Sequence, residues 1–560
     1  MLRSTYWYFF ITPVFLSLAF ISCRNHAHKG NEKTVFRYNE SAGISSLDPA
    51  YARDLANIWA VNQLYNGLVQ MNDKLEVEPC IAKKWEVSRD GLVYTFHLRT
   101  DVFFHDDSVF EGGKGRRVVA QDFVNSFFRI TDPRVASPGA WIFNNVSKSV
   151  KYNFLGFDAV NDSTFQVFLD KPFPPFLGLL TMQYCSVVPS EAAEYYGKDF
   201  RNHPVGTGPF KFKLWKEGTR LIFVKNENYF ERDTSGQALP YLDAVSISFT
   251  TDKQIAFLDF IQGRLDFLSG IDGSYKDELL TKFGRLQPKY EKKIKMETLP
   301  YLNTEYLGIL MDDNVELART SPLRLKAVRQ AVSYGFDRQK MITYMRNNIG
   351  MPGTSGFVPY GLPSFDAAKV TGYNYNPDMA RKLLKQAGFP EGKGLAPITL
   401  NTIPPYLDFC EYIQSQLAEI GITVRIEVNQ WATHKVMMAR SQMGFFRHSW
   451  VADYPDAENY LALFYSRNFS PSGPNYTHFS SAEFDRLYER ARTEENEEKR
   501  YILYRQMDQI IMNEAPIVVL YYDRVVRLFQ NNISGLGNNA MNLLTLKRVK
   551  KINTRRTEES

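Results

Sequence analysis

Strand and helix patterns alternate along this chain without an internal repeat, and this alternation constrains the fold more than any other feature. Val93–Leu98 and Val424–Val428 place apolar residues at every second position, as half-buried strands do. Asn376 and Pro377 predict the first turn of a helix, which Gly388 ends. A chain that mixes both periods in this way is predicted to have a mixed α/β fold.

Capping residues mark further helix boundaries. Ser321 followed by Pro322 predicts a helix start, because proline is well tolerated in a first turn. Ser480 with Glu483 forms a capping box ahead of another helix. A last long helix is expected from about 494 to 514.

Length and charge set broad limits. The chain has 560 residues, too many for one hydrophobic core, so we expect at least two domains. The formal net charge of +6 is small for this length and gives little reason to expect a polyanionic partner. The basic cluster at 547–551 is interpreted as a solvated tail, so no nucleic-acid partner is expected.

The amino terminus indicates the compartment. Residues 6–22 are almost wholly apolar or small, which fits a signal peptide spanning 1–22. The motif Phe20-Ile21-Ser22-Cys23 resembles a bacterial lipobox, in which the cysteine becomes the lipidated first residue, although Phe20 replaces the usual leucine. Residues 23–33 would then be a lipidated tether. An uncleaved membrane anchor is the alternative, and either reading puts the bulk of the chain outside the cytoplasm.

The remaining cysteines do not form a recognisable framework. Cys80, Cys185 and Cys410 are widely separated and odd in number. This argues against a set of disulfides or a cysteine-rich zinc site, but it leaves one bridge in an oxidising envelope open.

The sequence contains no complete catalytic motif. Gly206-Thr207-Gly208 has no following lysine and hydroxyl residue, and Pro209 removes an amide donor that a phosphate loop would use. Neither a Gly-x-Ser-x-Gly elbow nor a His-Glu-x-x-His helix occurs. We therefore interpret the chain as a binding protein, and we expect no catalytic residues, no metal and no cofactor.

One short segment combines a cation, an anion and an indole. Arg447 and Asp453 lie six residues apart around Trp450, and Pro455 with Asp456 favours a turn directly behind them. Such a loop is suited to hold a small zwitterion, each end by a charge-assisted hydrogen bond. An ordinary surface loop is the alternative that this segment alone leaves open.

This segment resembles the ligand-contacting part of extracytoplasmic solute-binding family 5, the oligopeptide- and dipeptide-binding proteins of ABC importers. Other motifs of that family occur in the same order over residues 35–545. A turn at 111–117 is longer and more basic than usual for the family. The motifs are Leu47-Asp48-Pro49, Tyr65-Asn66-Gly67-Leu68, Ala82-x-x-Trp85, Asp90-Gly91, Tyr94-Thr95-Phe96, Pro204 to Phe210, Asn226-x-Asn228-Tyr229-Phe230, Arg329-Gln330-Ala331 and Tyr375-Asn376-Pro377.

The resemblance implies a periplasmic-binding-protein type II fold, with two lobes joined by a hinge around a cleft and an extra domain. The expected ranges are 34–65, 187–292 and 522–560 for lobe I, 66–186 for the extra domain II, and 293–521 for lobe II.

The resemblance also implies roles for particular residues. Asp453 matches the aspartate that binds a peptide's α-ammonium group. Arg447 matches an arginine that can pair with the terminal carboxylate; pairing with a neighbouring acid is its alternative role. The residues expected at the pocket wall are Trp450, Val451, Ala452 and Trp141, with core packing as the alternative for the two tryptophans.

The implied function is that of a monomeric, lipid-anchored protein of the cell envelope. It would capture di- and oligopeptides in a closing cleft and deliver them to ABC permease and ATPase subunits. Two alternatives remain open: the same fold binding a nickel chelate, haem or oligosaccharide, and a sensor without transport. A sugar binder would not need both Arg447 and Asp453 in the cleft.

Overall fold

A computed structural model of the protein describes residues 33–148 and 156–552. The expected signal peptide, Cys23 and nearly all of the tether lie outside the described residues. From Thr34 onward the described residues form one compact unit.

The strands are β1 (Val35–Asn39), β2 (Val69–Met71), β3 (Val77–Pro79), β4 (Ala82–Val87), β5 (Val93–Leu98), β6 (Phe157–Asn161), β7 (Thr164–Phe168), β8 (Phe210–Lys216), β9 (Arg220–Lys225), β10 (Ala244–Ser248), β11 (Phe267–Ser269), β12 (Ile294–Ile309), β13 (Met351–Pro352), β14 (Ile398–Thr402), β15 (Val424–Val428), β16 (Phe445–Val451), β17 (Ile517–Gln530), β18 (Ile533–Ser534) and β19 (Lys550–Lys551).

The helices are α1 (Leu55–Leu64), α2 (Ala120–Thr131), α3 (Phe176–Leu179), α4 (Ser190–Tyr196), α5 (Lys253–Ile261), α6 (Lys276–Leu279), α7 (Pro288–Glu291), α8 (Glu316–Arg319), α9 (Lys326–Tyr334), α10 (Arg338–Arg346), α11 (Pro377–Gln386), α12 (Leu407–Ala418), α13 (Trp431–Ala439), α14 (Glu458–Leu461), α15 (Ala482–Ala491) and α16 (Glu497–Glu514).

Two long strands, β12 and β17, lie at the centre of an eleven-stranded sheet. The sheet order is β15-β14-β16-β12-β17-β11-β1-β10-β9-β8, with β13 added to β17. β12 pairs with β17 from Ile294 opposite Gln530 to Gly308 opposite Ile517, and the register shifts between Pro300 and Thr304. One group of strands is therefore attached on each side of this central pair, and the pair is irregular near its middle.

A separate antiparallel sheet, β4-β5-β7-β6, lies within residues 82–168. Its buried face packs against α2, and the rings of Phe127 and Phe165 lie 5.5 Å apart at this contact. Apolar side chains from this sheet and from the strands around β1 join one large core cluster, while residues 299–543 supply others. The division into domains at 66, 187, 293 and 522 stays a prediction.

Two glycines of the Pro204–Phe210 segment are explained by close backbone packing. The N–H of Gly208 donates to the Leu64 carbonyl at 2.8 Å, where α1 ends. A Cβ on either Gly206 or Gly208 would overlap the backbone of Leu64. This segment therefore fixes the end of α1, and the residue type is required by the approach of two backbones.

Several predicted elements are confirmed. Val93–Leu98 and Val424–Val428 are strands with the expected bounds. Asn376 caps α11 by accepting a hydrogen bond from the N–H of Met379 at 3.0 Å. The last long helix, α16, begins three residues later than expected and ends at Glu514.

Of two further predicted caps, Ser321 is confirmed and Ser480 was wrong. Ser321 caps only the short 3-10 turn Pro322–Arg324, and the longer helix α9 starts after it. At α15 the cap is Ser481, whose hydroxyl accepts from the N–H of Phe484 at 3.3 Å. The sequence Ser480-Ser481 offers two hydroxyls, and the backbone of Ser481 is the extended one that a cap needs.

Cys80, Cys185 and Cys410 are buried free thiols. The disulfide that the sequence left open therefore does not form among these three described cysteines.

Candidate functional site

The residues that follow β16 lie where the strand leaves the sheet. β16 runs antiparallel to β12, and Val451 opposite Asn303 is the last pair of the ladder. The N–H of Ala452 then donates to the Leu302 carbonyl at 2.9 Å. Asp453 is thus the first residue of the turn, held one residue beyond a fixed backbone contact.

The side chain of Asn459 organises this turn. Its Oδ1 accepts from Trp450 Nε1 at 2.9 Å and from the Asp453 N–H at 3.1 Å. Its Nδ2 donates to Asp453 Oδ2 at 3.1 Å. Because Asn459 is itself buried, one amide fixes both the indole and the carboxylate.

The Asp453 carboxylate has no cation to balance it. It is exposed to solvent, and within the described ranges no lysine, arginine or histidine forms an ion pair with it. Crowding by protein atoms raises the pKa of Asp453, and the hydrogen bond from Asn459 offsets this only in part. A positively charged ligand group would relieve that electrostatic penalty.

Tyr454, the residue after Asp453, connects the turn to other parts of the molecule. The hydroxyls of Tyr454 and Tyr488 both donate to the carboxylate of Glu458. The Tyr454 ring lies 6.2 Å from the ring of Trp141, which is 37% exposed. Tyr454 also belongs to the apolar cluster built mainly from residues 36–249. The turn therefore sits in a crevice between the two groups of strands.

Charged side chains from distant parts of the chain affect the hydroxyl of Tyr184. Burial raises its pKa, the carboxylates of Asp453 and Asp54 raise it further, and Arg53 opposes them. Its ring packs so closely on Gly139 that a Cβ there would overlap it. The charges of Asp453, Asp54 and Arg53 thus all act on the hydroxyl of Tyr184.

A cavity of about 690 Å³ adjoins this crevice. Asp453 is not part of its lining, but Tyr301 is, and the next residue, Leu302, accepts the hydrogen bond from Ala452. The cavity wall and the Asp453 turn are thus joined by one backbone hydrogen bond. Other lining residues are Glu40, Gly43, Asp54, Trp59, Gly270 and Asn542.

One edge of β16 is largely free of strand partners. The strand β14 contacts it only at Asn401 opposite Phe446. Past that pair, His434 holds the Arg447 carbonyl at 2.9 Å, and no described strand lies along this edge at residues 449–451. Val451 is 39% exposed and Trp450 is half-buried, so an extended chain has room to lie beside them.

Arg447 is engaged within the protein. Its guanidinium forms an ion pair with Glu305 and lies 3.2 Å from the centroid of the Tyr406 ring. The Tyr406 hydroxyl also donates to Glu305 at 3.4 Å. This is the alternative role that the sequence left open, and the part of Arg447 in binding a carboxylate stays a prediction.

A second ion pair completes a neutral network. Arg346 pairs with Asp523 at 2.5 Å, and the amide of Asn303 donates to Glu305 at 3.2 Å and to Asp523 at 3.4 Å. This network lies beside the irregular middle of β12 and β17. Its two cations and two anions cancel, so it adds no net charge to the crevice.

Some site residues could not be found from local sequence. Trp450, Val451, Ala452 and Asp453 are close together in the structure, and Trp141 approaches through Tyr454. Asn459 lies in the same segment, and its short amide beside a turn was a usable signal. Tyr184 and Arg53 come from distant segments and carry no such signal.

Two further observations concern metal binding and membrane-spanning helices. Across residues 33–148 and 156–552, no group of three or more His, Cys, Asp or Glu side chains is arranged to hold a metal ion. In the same part of the chain, no helix has both the length and the apolar character of a membrane span.

The family model described as "Bacterial extracellular solute-binding proteins, family 5 Middle" matches residues 76–471. The chain belongs to this family. The match contains Trp141 and the whole segment of this family 5 protein from Arg447 to Asn459.

Curated relatives extend the likeness to nearly the full length. The dipeptide-binding protein of Escherichia coli is 27% identical, over 84% of this chain and 86% of that protein. Heme-binding protein A of Haemophilus influenzae is 29% identical, over 87% of each.

A solved structure gives the same fold. The ABC transporter-associated periplasmic binding protein DppA from Helicobacter pylori, in complex with the peptide STSA, matches with a TM-score of 0.75 at 26% identity. The match covers 93% of this chain and 98% of that one. The family 5 protein therefore has the periplasmic-binding-protein fold with two lobes, a hinge and a cleft.

Proposed function

We propose that this family 5 protein captures di- and oligopeptides in the crevice beside Asp453 and delivers them to the permease and ATPase subunits of an ABC importer. The observation that carries the proposal is the uncompensated carboxylate of Asp453, fixed by Asn459 at the free edge of β16. The relatives named for dipeptide binding and the neighbour solved with a peptide support it.

The proposed binding step pairs the peptide's α-ammonium group with Asp453. Closure of the cleft removes water, which strengthens this charge-assisted hydrogen bond. The peptide backbone adds to the edge of β16 as an extra strand, while Trp450, Val451, Ala452 and Trp141 line the side-chain pockets. Main-chain recognition of this kind explains tolerance of many peptide sequences together with a requirement for a free amine.

The proposal includes the domain division. Lobe I would comprise 34–65, 187–292 and 522–560, domain II 66–186, and lobe II 293–521. The ligand would be enclosed between the lobes, and the hinge would lie at the irregular middle of β12 and β17. We propose a monomer that acts in transport and carries out no catalysis.

The proposal also places the protein at the cell envelope, where Cys23 would carry a lipid that anchors it. The family is described as extracellular, which agrees with a signal peptide at 1–22.

Replacing Asp453 tests the proposed function. Asp453→Asn keeps the shape of the side chain but leaves the peptide's ammonium group buried without a partner, which costs about 3–5 kcal/mol. We expect peptide affinity, measured by calorimetry, to fall at least about a hundredfold. Asp313→Asn, in an exposed loop after β12, is the matched control. N-acetylated peptides should fail against the unmodified protein in the same way.

Tight binding of an N-acetylated peptide would show that Asp453 does not receive an amine. The alternative is then another solute on the same fold, as in the relative named for haem, or a sensor without transport. Mass spectrometry of the ligand that co-purifies with the protein distinguishes a peptide from haem, a nickel chelate or an oligosaccharide.

A further inference from the structure

A zwitterionic peptide needs a cation as well as Asp453, and the two arginines of the buried network are already paired. Arg447 binds Glu305, and Arg346 binds Asp523. Arg53 is different because its side chain is exposed and forms no ion pair with any residue in the described part of the chain.

Arg53 directly precedes two residues of the cavity wall. The next residue, Asp54, caps α1 by accepting from the N–H of Asn57 at 3.1 Å, which fixes the backbone at this point. Asp54 and Leu55 both line the cavity of about 690 Å³. An arginine directly before them, with a long and unpaired side chain, can reach a group bound inside.

A chain of contacts also connects the Arg53 segment with the Asp453 turn. The hydroxyl of Tyr51 donates to the Val135 carbonyl at 2.6 Å, and Ser137 Oγ donates to the Ala50 carbonyl at 2.6 Å. These two bonds fix the residues that lead into Trp141.

From there the connection continues to the site. The Trp141 ring meets the ring of Tyr454, the neighbour of Asp453. Tyr184 gives a second connection, because the charges of Arg53, Asp54 and Asp453 all affect the pKa of its hydroxyl. The Arg53 segment and the Asp453 turn are therefore both connected to the region of Trp141 and Tyr184.

We propose that Arg53 binds the terminal carboxylate of the ligand, so that the site takes peptides with both termini free. The inference rests on the proposed function and adds the residue that recognises the second terminus. The planar guanidinium matches a carboxylate with two parallel hydrogen bonds. Before closure, water screens the charge of Arg53. After closure, its hydrogen bonds to the carboxylate lie in a medium of lower dielectric constant and are therefore stronger.

Calorimetry with trialanine and trialanine amide tests the inference. We expect the wild-type protein to bind the free acid about tenfold to a hundredfold more tightly than the amide, in line with a charge-assisted hydrogen bond. Arg53→Gln should weaken binding of the acid by a similar factor and leave the amide nearly unchanged. Arg53→Lys keeps the positive charge but cannot donate two parallel hydrogen bonds, so it should recover part of the preference for the free acid over the amide.

Arg220→Gln is the matched control, since Arg220 is an exposed arginine on the distant strand β9. Equal melting temperatures of the variants would show that the fold is intact. An acid-to-amide ratio that is the same in Arg53→Gln as in wild type would overturn the inference and leave the proposed function standing. Wild type that binds trialanine and its amide equally would do the same. Failure of wild type to bind any peptide in a wider set would overturn both.

Discussion

Arg447 and Glu305 are diagonal neighbours on β16 and β12 and form an ion pair whose side chains are only 4% and 3% exposed. The arginine that the family resemblance assigns to a ligand is therefore neutralised within the protein. Its contacts with Glu305 and Tyr406 fix the strand from which the Asp453 turn emerges.

The first prediction concerns this pair. Arg447→Met should lower the free energy of unfolding by about 3–5 kcal/mol, because it leaves the buried Glu305 carboxylate without its partner. Urea denaturation measures the effect. Adding Glu305→Gln should restore much of the stability. An unchanged midpoint in the single variant would contradict the prediction. Loss of the acid-over-amide preference in Arg447→Met alone, with Arg53→Gln unaffected, would instead make Arg447 the carboxylate receptor.

Asn459 should matter for binding although it faces the protein interior. Asn459→Ala removes the donor to Asp453 Oδ2 and the shared acceptor of Asp453 and Trp450. We expect about a tenfold loss of peptide affinity, since hydrogen bonds to charged groups contribute about 1.5–3 kcal/mol. Asn513→Ala, on the exposed face of α16, is the control. Peptide affinity equal to that of the control would show that Asp453 does not depend on this amide.

The buried carboxylate of Asp508 should make the stability of the protein depend on pH. Burial raises its pKa to about 7, even though its carboxylate accepts from the N–H groups of Phe357 and Val358. In the unfolded chain the pKa is about 3.9. Between these values the folded state binds the extra proton, so stability is full below about pH 4 and is lost as pH rises through about 7.

Thermal unfolding between pH 5 and pH 8 checks this dependence. The difference in stability between wild type and Asp508→Asn should change by about 3 kcal/mol across that range, because each of the two pH units below the folded pKa contributes about 1.4 kcal/mol. A constant difference at all pH values would contradict the assignment. Comparing the two proteins at each pH removes the contributions of other groups.

Cys23 should determine membrane attachment. Cys23→Ala removes the thiol that would carry the lipid, so we expect the protein to leave the membrane fraction or to remain unprocessed. Cys80→Ala, at a buried thiol, is the control for the loss of a cysteine. Fractionation and normal processing unchanged from wild type in Cys23→Ala would rule out the anchor.

How much the sequence predicts depends on the distance along the chain between interacting residues. The Asp453 turn was recognised because its charged, aromatic and turn residues lie within one short segment. Strands such as Val93–Leu98 were predicted with their bounds because the alternating pattern covers their whole length. The cap of α15 was missed by one residue, since Ser480 and Ser481 satisfy the same pattern and only the backbone decides between them.

The remaining site features depend on contacts that no local pattern encodes. Glu305 lies 142 positions before Arg447, and only the strand pairing brings the two side chains together. The segment that carries Arg53 is fixed against residues 135–137 by separate hydrogen bonds. Sequence reasoning supplied the proposed anion of the site, whereas its proposed cation required the fold.

The proposed hinge lies at the irregular middle of β12 and β17, so a small rotation there is amplified at the outer strands. Five strand spacings of about 4.8 Å separate β17 from β8, so the outermost strand lies about 24 Å from the pivot. Each degree of rotation at the pivot then moves that strand by about 0.4 Å. Hydrogen bonds tolerate a spread of only about 0.5 Å in length, so a turn of about one degree is enough to make or break polar contacts at the periphery. A bend that scarcely disturbs the central ladder can thus decide whether the distant rims touch.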